Sequence, residues 1–224
     1  MDKRALDIDR PILITGAARS GTSMIAGVVH LCGAWGGKMT GPTKYNKKGQ
    51  FENSEIRNNI TKPYLKSMGY DPMGQRPLPD IHNLKPIDLK TMVTDVIKRQ
   101  GYQGGPWFYK GAKMCLFWPK WHEAFPRAKW VIVRRKSEDI ANSCLRTSFM
   151  RAYNTVSGWL QWVAVHEKRF KEMHEAGLDI KEVWPIKAIK GDFNELETMI
   201  SWLGLDYHEE VVKSFVTPKL YHST

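Results

Sequence analysis

A chain of 224 residues, 42% hydrophobic and with 9 tryptophans, buries one substantial core, so a single domain over residues 1–224 is expected. Lys and Arg number 34 against 23 Asp and Glu, and the formal charge of +11 points to a polyanionic partner; the cations are scattered among acids, which favours a charged pocket and argues against nucleic acid as that partner. No stretch reaches the ~20 apolar residues of a membrane span, the N-terminal MDKRALDIDR lacks the apolar run of a signal peptide, and Cys32, Cys115 and Cys144 form no C-x-x-C pair, so a soluble cytoplasmic protein with reduced cysteines and no metal is expected.

In chain order, the short apolar run 12–15 predicts a strand and residues 22–31 a helix, followed by an irregular stretch, 33–53, rich in glycine and lysine. A helix over 54–68 precedes a second irregular stretch, 71–86, which holds Pro72, Pro77, Pro79 and Pro86. Further helices are predicted over 88–99, 138–149, 155–175 and 194–203, and further strands over 107–109, 130–134 and 185–189. Apolar strands alternating with helices imply an α/β fold, a three-layer α/β/α sandwich around a central parallel sheet of the P-loop nucleotide-binding type, with ligands at the carboxyl ends of the strands. Both irregular stretches are expected to wall an acceptor site.

The segment Pro11–Ser23, PILITGAARSGTS, carries the chemistry. Gly16 and Gly21 have the spacing of a phosphate-binding loop, and Ser23 stands where such loops place a magnesium-binding hydroxyl, but Thr22 occupies the position of their lysine. Backbone N–H groups and a helix N-terminus still favour an anion there, and the one full charge of the loop is Arg19. Such a loop suits a nucleotide that is less highly charged at its end and needs no metal.

R-S-G-T-S after a hydrophobic strand resembles the 5′-phosphosulfate loop of sulfotransferases that use 3′-phosphoadenosine-5′-phosphosulfate (PAPS). The segment Lys129–Ser143, KWVIVRRKSEDIANS, is similar to the 3′-phosphate motif of the same family, with Arg135 on its arginine, Asp139 on its aspartate and Ser143 on its serine. Ser137 replaces the family's proline and is expected to cap the helix that starts at Glu138. The resemblance implies that Arg19, Ser20, Gly21, Thr22 and Ser23 hold the 5′-phosphosulfate and that Arg135 and Ser143 hold the 3′-phosphate.

It also implies the catalytic groups. In YKGAKMCLFWPKW, Lys110 falls on the lysine of the family's K-x-H or K-D-P-R stretch and Lys113 on the arginine of the second form, while Ala112 replaces the catalytic histidine of cytosolic members. The base is then expected from NKKGQFE, which fits the N-x-x-G-x-x-E context of bacterial-type members and makes Glu52 the candidate, with a pKa raised by burial and Glu55 in reserve. A structural role for Glu52, stabilising the N–H groups of the helix that follows, is the competing reading. Trp118 and Trp121 are divided between acceptor pocket and core; Trp159, Trp162 and His166 read as core. TMISWLGLDY and the final VTPKLYHS resemble the family's late helix and tail.

The expected reaction is transfer of a sulfuryl group from PAPS to a hydroxyl or amine of a small-molecule, glycan, lipid or peptide acceptor, releasing adenosine 3′,5′-bisphosphate. A P-loop small-molecule kinase and an inactive nucleotide-binding protein are the alternatives. A kinase needs an acidic magnesium ligand at a strand end, where this chain offers Arg134 and Arg135.

Overall fold

The computed structural model of the chain describes residues 8–216. Four parallel strands, β1 (Ile12–Thr15), β2 (Phe108–Lys110), β3 (Lys129–Val133) and β4 (Ile180–Val183), form one sheet in the order β2-β1-β3-β4. Ile12 pairs with Phe108 on one side and Lys129 on the other, and Val133 pairs with Val183. Leu13, Trp107, Tyr109, Trp130 and Ile132 enter one core, whereas Ile12, Ile14, Phe108, Val131 and Val133 enter another. This alternation follows from the two-residue period of a strand, and it explains why the strands read as unbroken apolar runs.

The first core is covered by α2 (Lys62–Ser67), α3 (Leu89–Arg99), α4 (Trp118–Ala124) and the C-terminal half of α6 (Val156–Glu175). The second is covered by α1 (Thr22–Leu31), α8 (Asn194–Leu203) and α9 (Glu209–Phe215), with α7 (Pro185–Ile189) beside them. Helix α5 (Ser137–Leu145) packs on the first half of α6 through Ile140, Ala141, Trp159 and Val163. The result is a three-layer α/β/α sandwich, as the alternation of elements predicts.

Four expectations need correction. Residues 185–189 form helix α7, and the fourth strand is Ile180–Val183. Pro185 fixes φ at the first helical turn and lacks the N–H that a ladder requires, and the strand escaped an apolar-run criterion because it is a partly exposed edge carrying Lys181 and Glu182. Helix α5 ends at Leu145, not Phe149, and Ser137 is its first residue and makes no capping bond, the N-cap being Lys136. The helix expected over 54–68 forms, but with a π-helical stretch, Ile56–Thr61, ahead of α2. The turn Met114–Phe117 with α4, and α9, were not predicted. Beyond Val216 the VTPKLYHS similarity lies outside the described residues.

Candidate active site

The loop from β1 to α1 is shaped by close approach. A Cβ on Gly16 would sit 2.6 Å from the Val133 carbonyl oxygen and 2.7 Å from Ser20 Oγ, so only glycine lets the loop lie against β3. Arg19 (φ 75°) and Gly21 (φ 102°) both adopt left-handed conformations, and Gly21 is the N-cap of α1, whose first N–H groups receive no side-chain cap from it. Thr22 is buried, and the buried Ser20 Oγ has no hydrogen-bond partner among the described residues. An anion cradle of this kind fits a terminal phosphosulfate.

Arg135, just past the end of β3, donates from Nη1 to the Arg19 carbonyl (2.9 Å), and its Nε lies 3.8 Å from Asp139. Arg19 in turn donates from Nε to Ser143 Oγ on α5 (3.1 Å) and places its guanidinium over the Tyr45 ring. Both arginines and Ser143 thus converge beside the cradle, and burial together with the neighbouring Arg135 pulls the Arg19 pKa below its usual value. The preceding residue behaves differently: Arg134 is clasped by Glu167 and Glu182 and lies over Phe170. One arginine of the pair ties β3 to β4 and α6, and the other enters the site.

Lys110 ends β2 next to Ile14 and lies 3.3 Å from Glu52 Oε2; both side chains are buried. Arg57 approaches the same oxygen at 3.9 Å. Burial pushes the Glu52 carboxyl up, but Lys110, Lys113 and Arg57 together outweigh it and hold the pKa below the ordinary glutamate value. The expectation of a raised pKa is therefore corrected: Glu52 is an ion-paired carboxylate. The competing structural role belongs to Asn53, whose Oδ1 accepts from the N–H groups of Glu55 and Ile56 (3.2 and 3.3 Å) and whose Nδ2 donates to Gln100. Glu55 pairs with Arg99 and Gln100 and does not line the cavity described next.

A single cavity of ≈ 450 Å³ gathers Arg19, Gly21, Thr22, Ser23, Glu52, Lys110, Arg135 and Ser143. Ser20 does not line it; its hydroxyl turns in toward Gly16. Both irregular stretches contribute walls, through Lys44–Glu52 and Met73–Gln75. Gln75 stitches the second wall to the loop after α5, donating to the Phe149 carbonyl (2.7 Å) and accepting from the Arg151 and Ala152 N–H groups. Trp118 and Trp121 do not line the cavity; both belong to the core, and Trp121 stacks on Tyr109. Trp162 and His166 do line it, contrary to a purely core role. His166 Nδ1 lies 2.9 Å from the Trp162 carbonyl, which only accepts, so Nδ1 carries the hydrogen. Burial lowers the His166 pKa to about 4. Arg57 and Lys62 also line the cavity and were not expected, because helical spacing gives no hint of which face meets a loop that is distant in sequence but adjacent in space.

A parallel sheet with a glycine cradle at the end of its first strand defines a P-loop-type nucleotide-binding α/β protein. Residues 110–221, half of the 224, match the family described as the sulfotransferase domain, and the chain belongs to that family and is a sulfotransferase. In fold it is similar to the sulfotransferase domain from the Synechococcus PCC 7002 olefin synthase, with a TM-score of 0.57 and 16% identity over 95% of this chain and 86% of that one. It is also similar to sulfotransferase STF9 from Mycobacterium avium, with a TM-score of 0.53 and 12% identity over 93% of this chain and 67% of that one. No curated protein matches the sequence.

Proposed function

We propose that the chain transfers the sulfuryl group of PAPS to a hydroxyl or amine, with Glu52 as the base and Lys110 as the cation that serves both substrates. The observation that carries this is the meeting of three parts in one cavity: the β1–α1 cradle, the Arg19–Arg135–Ser143 cluster and the buried Lys110–Glu52 pair. PAPS supplies an electrophilic sulfur and a bisphosphate leaving group. The cradle holds the 5′ end, with the dipole of α1 and Arg19 facing the sulfuryl oxygens, and Arg135 with Ser143 holds the 3′-phosphate.

Lys110 has two destinations. Paired with Glu52 it keeps that carboxylate ionised; turned toward the bridging oxygen, it stabilises the charge that builds there as the sulfur–oxygen bond breaks. The move also frees Glu52, whose burial then raises its proton affinity, so that Oε2 takes the acceptor proton as the acceptor oxygen bonds to sulfur. A base that is weak at rest becomes stronger only when the donor has engaged its lysine.

Residues 1–224 act as one catalytic domain in this reading. Calorimetry tests the donor assignment: adenosine 3′,5′-bisphosphate is expected to bind without magnesium, and Arg135→Ala to abolish binding. Equal or tighter binding of magnesium-ATP would overturn it in favour of a kinase.

A further inference from the structure

The cavity holds more positive charge than the donor uses. Among the described residues Glu52 is its only acidic lining residue, against nine Lys and Arg. Arg19, Arg135 and Lys110 are allotted to the donor, and Arg57 shares Glu52 with Lys110. Lys62 and Lys113 form no ion pair with any described residue. They are close enough to each other to repel: burial lowers the Lys113 pKa, Glu52 opposes that, and Lys110, Lys62 and Arg57 add to it. Lys113 is held in this position, since its stem packs where Gly74 leaves room, 3.1 Å from the site of an absent Cβ. Confining these four cations around one carboxylate is unfavourable unless an anion enters with them.

These residues come from the π-helical stretch, the start of α2 and the turn after β2, and not from the two phosphate loops. Leu116, Met150 and Trp162 line the same cavity; Leu116 packs beside the Lys113 stem at Gly74, whose carbonyl accepts from Trp162 Nε1 (3.0 Å). A charged cluster beside Glu52 and an apolar wall together describe an amphiphilic ligand.

We propose that the acceptor is an amphiphilic hydroxyl compound bearing its own anionic group, a carboxylate, sulfate or phosphate, which Lys62, Lys113 and Arg57 hold while its apolar part lies against Leu116, Met150 and Trp162. This rests on the donor reading above. An anion seated there also screens Glu52 from its remaining cations, which makes the carboxylate a stronger base once Lys110 has turned to the donor.

The test uses the enzyme saturated with adenosine 3′,5′-bisphosphate and measures, by calorimetry, binding of 4-hydroxyphenylacetate, 10-hydroxydecanoate and glucuronate against their amides. At least one carboxylate is expected to bind about ten-fold more tightly than its amide, the gain of a charge-assisted contact. Lys62→Met with Lys113→Met is expected to remove that preference while bisphosphate affinity stays within about two-fold. Amides that bind equally well, a preference that survives the double substitution, or no binding by any probe would overturn the proposal. Loss of bisphosphate affinity in the double variant would overturn it too, by assigning the cluster to the donor. Failure of the wild-type enzyme to bind bisphosphate at all instead removes the donor reading, and the proposal with it.

Discussion

Replacing Lys110 by methionine keeps the stem of the side chain and removes the charge nearest Glu52. At 3.3 Å and an effective dielectric of 20, the attraction removed is about 5 kcal/mol. Arg57 at 3.9 Å and Lys113 remain, so the carboxylate is not wholly uncompensated, and breaking a buried pair from one side costs about 3–5 kcal/mol. A loss of about 3 kcal/mol is therefore expected at pH 8, where Glu52 must stay charged in both states. The pH dependence carries the sharper signal. In the wild type the Glu52 pKa is lowered on folding, so its contribution to stability is full above the unfolded value and lost as the pH falls through the folded one. In Lys110→Met the folded pKa moves upward instead, the carboxyl takes a proton on mild acidification, and the deficit shrinks between pH 8 and pH 5. Urea denaturation of both proteins across that range measures it, and Glu52→Gln in the Lys110→Met background is expected to recover most of the stability at pH 8. A deficit of the same size at every pH, or a double variant no more stable than Lys110→Met, would refute the account of Glu52 as a carboxylate held ionised chiefly by Lys110.

Two other substitutions probe the cradle and the far wall. Gly16→Ala forces a Cβ to 2.6 Å from a strand carbonyl and 2.7 Å from Ser20 Oγ, so it is expected to cost about 1–3 kcal/mol and to weaken adenosine 3′,5′-bisphosphate binding, read by thermal melts with and without that ligand. His166, neutral in its buried site, contributes stability that is complete above its ordinary pKa and lost as the pH falls from 6.5 toward about 4, a span worth about 3 kcal/mol. His166→Gln is expected to flatten the stability profile in that window relative to wild type; an unchanged slope would show that the imidazole is not held neutral.

The parts of the fold that the sequence discloses are those whose neighbours are all of one kind. β1 and β3 are apolar on both faces because each meets a helical layer on both sides, and α1 and α8 fall where their apolar faces and ends place them. β4 escaped because an edge strand has one neighbour and two charged residues, and α7 was mistaken for it because PIKAI is a short apolar run that strand and helix both accept. Arg134 and Arg135 were adjacent charges with nothing local to separate them. Their division into a clasp and a site residue depends on Glu167, 33 residues onward, and on Arg19, 116 residues back.

Glu52 shows the same limit at the site itself. The context NKKGQFE suggests a carboxylate near the donor, but its protonation depends on Lys110, 58 residues away, and on Arg57 and Lys113, so burial alone gave the wrong sign. The correction alters the chemistry. A glutamate with a permanently raised pKa would be a ready base whether or not PAPS was present, and the bound donor would be exposed to attack by water as well as by acceptor. On the proposed mechanism, a glutamate held in an ion pair would gain basicity only as Lys110 left it, and the cations around it would suit an acceptor that brings an anion of its own. In a site that worked this way, the order of charge movements, rather than any single pKa, would tie proton removal to the presence of both substrates.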